Sequence, residues 1–128
     1  MTKLMNQTKV YKLLEKRESV FLNQVKDAIN IADDMLPQIN NVFNTYTIHG
    51  MKHSINVAEY MFDLIENAEE MSDLELVMII YAALFHDSGM IVSDDEMVGI
   101  KDDKILLGNR RYSKVLEKYK NEKIALQE

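Results

Sequence analysis

Ser72-Asp73-Leu74-Glu75-Leu76-Val77-Met78-Ile79-Ile80-Tyr81-Ala82-Ala83-Leu84-Phe85-His86-Asp87-Ser88-Gly89 is the stretch whose reading decides the fold. It opens as a helix start, because Ser72 and Glu75 have the spacing of a capping box in which each side chain satisfies one exposed first-turn amide. From Leu76 to Phe85 every residue is apolar. A helix with no wet face belongs at the centre of a bundle. A bilayer crossing needs about twenty such residues, so a core helix is the better reading. Gly89 suits a terminating turn, which leaves His86 and Asp87 at the C-terminal end of this buried helix.

Upstream, apolar residues keep helical spacing. Phe21, Val25, Ala28, Ala32 and Met35 recur at three and four and mark one side of a helix. That helix is expected to stop near Leu36, since Pro37 disfavours a helical conformation in the residue before it. Val10, Leu13 and Leu14 extend the pattern towards the N-terminus, in the same helix or a separate one. Between Gln38 and Ile48 the periodicity vanishes, and Asn40, Asn41 and Asn44 mark a connecting loop. A further helix is expected from about Met51 to Glu69, with Val57, Met61, Leu64 and Ala68 facing inward. Four residues before Val57 on that stripe stands His53.

Downstream of Gly89, Ser93-Asp94-Asp95-Glu96 reads as another helix start, and Tyr112, Val115, Leu116 and Tyr119 form a short amphipathic stripe. With one proline, four glycines and helical periodicity almost throughout, the fold class is all-α. No repeat, low-complexity stretch or linker divides the 128 residues, so a single domain over 1–128 is expected. The segment 111–126 would pack on the bundle, on a second copy in a homo-oligomer, or on a further C-terminal domain.

Composition narrows the function classes. Hydrophobic residues make up 47% and charged residues 28%, as in an ordinary globular protein. The net charge of −6 argues against bulk nucleic-acid binding, which requires clustered cations to neutralise phosphates. Basic residues gather in Lys9–Arg17 and Arg110–Lys123, and solvated helix faces account for both clusters. The absence of cysteine removes disulfides, thiolate nucleophiles and zinc–thiolate sites. With no signal-peptide pattern and no membrane span expected, the assignment is cytoplasmic.

The chemistry-bearing residues are few. There are three histidines, all in or beside the two best-defined helices. A carboxylate such as Asp87 at a helix C-terminus is disfavoured by a few tenths to ~1 kcal/mol when exposed, and burying it unpaired costs far more. Something positive should face it. A divalent cation also held by the imidazoles of His53 and His86 meets that need, with mixed N and O ligands suited to Mn, Fe, Co, Ni or Zn. The plainer alternative is that the histidines are hydrogen-bonded core residues and that Asp87 caps a turn or pairs with Lys or Arg.

Two segments carry a resemblance. Thr47-Ile48-His49-Gly50-Met51-Lys52-His53-Ser54-Ile55-Asn56-Val57-Ala58 is similar to the His-Ser-x-x-Val-Ala helix start of the HD superfamily. Tyr81-Ala82-Ala83-Leu84-Phe85-His86-Asp87-Ser88-Gly89-Met90 is similar to its Ala-Ala-Leu-x-His-Asp-x-Gly helix end. The likeness covers about residues 43 to 92. It implies an HD-like helical bundle in which His53, His86 and Asp87 bind a divalent metal (Mn, Fe, Co, Ni, Zn or Mg). It further implies hydrolysis of a phosphate ester, with a nucleotide or related small molecule as substrate. His49, four residues before His53, would be a substrate-facing or extra metal-binding group, or simply order the loop before Gly50. Lys52 would face the phosphate, or water.

The family's fourth metal ligand comes from a helix well downstream. Asp102-Asp103-Lys104-Ile105-Leu106 has a faint likeness to that stretch, but Asp103 follows Asp87 by only sixteen residues. Either Asp103 ligates by a shortened route, or the chain is the N-terminal part of a larger fold, or the site is incomplete. A solvated acidic turn is the bland alternative. The rival to an enzyme is therefore a degenerate HD domain that binds a nucleotide or a partner protein without turnover.

Overall fold

The computed structural model describes residues 4–40, 50–106 and 109–127. The fold is all-α with one very short hairpin, and its contacts fall into two compact units, Met1–Ile91 and Val92–Glu128.

The first unit contains α1 (Lys9–Lys16), α2 (Leu22–Met35), α3 (Met51–Asp63) and α4 (Asp73–Phe85), joined in part by short 3-10 turns. Thr8 starts α1: its buried hydroxyl donates to the Met5 carbonyl at 2.7 Å and accepts from the Tyr11 amide. The α2 helix ends at Met35 and tightens into a 3-10 turn, Leu36–Ile39, that contains Pro37. This is the stop the proline dictates. Ser72 and Glu75 form the expected capping box at the start of α4, with bonds of 3.2 and 2.7 Å. The other three helices all pack against α4, so it is the central element of this unit. Leu76, Ile80 and Leu84 are fully buried among Val10, Leu14, Val25, Ala32 and Ile39.

The structure amends three expectations. First, α4 is not covered on every side: Leu74 and Met78 are 57% and 60% exposed. Second, the inward face of α3 is wider than the expected stripe and leaves Leu64 out of it. Val57 and Met61 pack against the core and Ala68 is buried, as expected, but Ile55 and Ala58 are also buried and Met51, Phe62 and Ile65 also pack there, while Leu64 is 83% exposed. The helix also ends at Asp63, short of Glu69. There Arg17 takes over: its guanidinium donates to the carbonyls of Glu69 and Met71 and to the carboxylate of Asp73. Third, Gly89 adopts no left-handed conformation. The chain leaves α4 through a 3-10 turn, Ser88–Met90, which satisfies the last carbonyls by tightening.

The helical segment from Asp73 to Lys101 passes a length-and-composition test for a membrane crossing. Its apolar part, α4, has 13 residues. At 1.5 Å per residue that is about 20 Å, short of a ~30 Å hydrocarbon core, and its apolar side chains pack on three helices of the same unit.

The second unit contains α5 (Asp94–Lys101), a hairpin of β1 (Ile105–Leu106) with β2 (Arg110–Arg111), and α6 (Tyr112–Gln127). Ser93 and Glu96 form a second capping box. The strands pair antiparallel, Ile105 opposite Arg111 and Leu106 opposite Arg110, with Asn109 at positive φ in the turn. Gly99 lies directly under the Leu106 side chain, where a Cβ would collide with it. On α6, the anticipated stripe leaves Tyr119 60% exposed.

Candidate metal centre

Three side chains meet at the junction of α3 and α4. His53 comes from the first turn of α3, beside the buried Ser54–Ile55 pair that anchors this turn to the core. His86 caps α4, and Asp87 follows it at the start of the 3-10 turn. Because α3 and α4 pack side by side, the start of one and the end of the other share a single end of the bundle.

Nε2 of His53 stands 3.1 Å from Nε2 of His86. Oδ2 of Asp87 stands 3.2 Å from His86 Nε2 and 3.6 Å from His53 Nε2. Donors on one metal with bonds of about 2.1 Å stand roughly 3.0 Å apart at right angles and roughly 3.4 Å apart at the tetrahedral angle. The observed triangle matches three neighbouring ligands of one cation. It closes one face of the coordination sphere and leaves the remaining positions to other groups.

The orientation of His86 is fixed from behind. Its Nδ1 lies 2.9 Å from the Ala83 carbonyl oxygen. A carbonyl only accepts, so Nδ1 carries the proton and Nε2 presents its lone pair to His53 and Asp87. Ala83 belongs to the last turn of α4, whose carbonyls lack intrahelical partners, so the helix end itself supplies the orienting group. The Asp87 side chain is 15% exposed, against 39% for His53 and 35% for His86, so the carboxylate is the innermost of the three. Two imidazoles and a carboxylate suit a first-row divalent cation, and the fit to a metal is good in donor type and spacing.

Of the other sequence candidates, Lys52 is exposed on α3 and makes no hydrogen bond or ion pair among the described residues. His49 lies outside the described residues. Asp103 belongs to the second unit, where Oδ1 accepts from the Ser113 amide at 2.9 Å and Oδ2 from its hydroxyl at 2.8 Å. These bonds hold its pKa below the usual aspartate value, the Ser113 amide contributing most and Arg111 and Lys114 adding attraction. Asp103 thus caps the first turn of α6. The Ala83 carbonyl was not among the sequence candidates, because a backbone group carries no side-chain signal.

Residues 43–128 match the model of the HD-CE family, which covers both signature segments and all three metal-facing side chains. The chain belongs to the HD-CE family. No curated protein and no solved structure matches it. Within the HD-CE region the His53–His86–Asp87 group could hold a metal ion, while α1 and α2 precede the matched residues and supply much of the core.

Proposed function

We propose that this HD-CE chain is a metal-dependent phosphohydrolase domain acting on a nucleotide or related small phosphate ester. The observation that carries the reading is the triangle of His53 Nε2, His86 Nε2 and Asp87 Oδ2, with sides of 3.1, 3.2 and 3.6 Å. A divalent cation held there supplies Lewis-acid polarisation of a phosphoryl oxygen and lowers the pKa of water. Mn, Fe, Co, Ni and Zn suit the two imidazoles better than Mg, which prefers oxygen. The chain's own part is to hold the three donors on one face and to fix the His86 tautomer through Ala83. Lys52, exposed one residue before His53, is the nearest cation in sequence to the phosphate position. A cytoplasmic setting fits this chemistry.

The second reading is an HD-CE domain that binds without turnover. It is favoured by one observation: among the described residues, the candidate metal cluster has only three side chains, and Asp103 is engaged by Ser113. Hydrolysis of a chromogenic phosphodiester and a panel of nucleotides, with Mn added, separates the two. Turnover that disappears in His86→Ala supports the enzyme. Stoichiometric metal without turnover of any substrate supports the binder.

A further inference from the structure

A cavity of about 380 Å³ opens on the first unit between the residues just before α1, the outer side of α2 and the start of α3. It shares no side chain with the His53–His86–Asp87 group, and apart from Met51 its lining precedes the family match. The size falls within the roughly 300–1,000 Å³ of small-molecule sites. Its apolar part is rich in methionine: Met5 is buried and Met51 half-buried, and Ile29 of α2 packs against the core beside them. Thioethers pack well against the faces and edges of aromatic rings.

The polar part is uncommitted. Tyr11 is only 2% exposed as a whole, and its hydroxyl, which is not among the buried atoms, makes no hydrogen bond among the described residues. Partial burial pushes its pKa up, with Glu15 adding to the effect. The carboxamides of Asn6 and Asn30 likewise bond to no described residue. Each offers a donor and an acceptor side by side, the pattern that pairs with the edge of a nucleobase. Lys26 and Asp33, a helical turn to either side of Asn30 on α2, contribute opposite charges, so the lining favours neither an anion nor a cation.

We propose that this cavity binds a neutral, planar heteroaromatic ligand of the nucleobase class, stacked against Met5 and Met51 and bonded by Tyr11, Asn6 and Asn30. The ligand is either a free nucleoside or, on the phosphohydrolase reading above, the base of the substrate nucleotide. The test is calorimetric titration of the full chain with the four ribonucleosides and their 5′-monophosphates, with and without Mn. At least one nucleoside is expected to bind saturably at one site. Tyr11→Phe, which keeps the ring and removes only the hydroxyl, and Asn30→Ala, at an exposed helix position, should each weaken it about tenfold. Circular dichroism confirms that both variants are folded. Binding indifferent to Mn and to His86→Ala identifies a free nucleoside. A monophosphate whose affinity rises with Mn in the wild type but not in His86→Ala identifies the substrate's base. No nucleoside binding at all, or binding that both cavity variants leave unchanged, overturns the proposal whatever the metal centre does.

Discussion

The Nε2 atoms of His53 and His86 face each other at 3.1 Å, with the Asp87 carboxylate 3.2 Å from the second of them. With Nδ1 of His86 donating to Ala83, the His86 Nε2 lone pair faces the other two groups and can accept only one proton from His53. A divalent cation among these three atoms would be coordinated by all of them at once. The site is thus built by the end of α4, which fixes one imidazole by its own last-turn carbonyl, and by the start of α3, which brings the other.

Arg17 closes the connection between α3 and α4 from the side of α1. Its guanidinium reaches two backbone carbonyls and the Asp73 carboxylate, and the side chain is only 26% exposed. Arg17→Ala leaves those carbonyls to water and should cost about 1–3 kcal/mol. Urea denaturation followed by circular dichroism measures it. A change within a few tenths would mean that the contact contributes nothing.

Ser72 and Glu75 start the helix that carries His86. Ser72→Ala removes half of the capping box and should destabilise by about 1 kcal/mol. The Glu75 carboxyl is held below its usual value of 4.5, chiefly by the Ser72 amide and then by the Ser72 hydroxyl. Its stabilising effect is therefore present above the unfolded-state value and lost as pH falls through the lower folded value. Denaturation midpoints measured across the acid range should fall in the wild type. In Glu75→Gln the part of that decline due to this group should vanish.

Asp103 gives a sharper contrast. Its carboxylate caps α6 through Ser113, so Asp103→Asn should loosen the first turn of α6, seen as faster amide exchange at Ser113 and its neighbours. The depressed pKa has the same sign: the cap is intact above the ordinary value of 3.8 and is lost on acidification through the folded value. Metal affinity is expected to stay within about twofold of wild type, since both carboxylate oxygens of Asp103 are engaged by Ser113. A loss of a hundredfold or more would return Asp103 to the ligand set.

How much of this was legible beforehand depends on the kind of signal. The capping box at Ser72, the helix start at Ser93, the stop at Pro37 and the central place of α4 follow from local chemistry, and the structure has them. His53, His86 and Asp87 were legible as a group because a carboxylate at a helix end calls for a partner. On α3 the expected stripe holds at Val57, Met61 and Ala68 but not at Leu64, and Ile55, Phe62 and Ile65 join it, because only packing decides how wide an apolar face is buried. Gly89 offered a turn that the chain makes instead by 3-10 tightening. The hairpin at Ile105–Arg111 had a cue in Gly108-Asn109, a turn dipeptide, but two-residue strands leave almost no periodicity to read.

One measurement bears most directly on the metal centre: anomalous diffraction from crystals grown with Mn, combined with metal analysis of the same protein. One ion per chain is expected within about 2.0–2.3 Å of His53 Nε2, His86 Nε2 and an Asp87 oxygen, and no ion in Asp87→Ala. Anomalous density elsewhere, or three side chains that keep their mutual hydrogen bonds in saturating Mn, would contradict it.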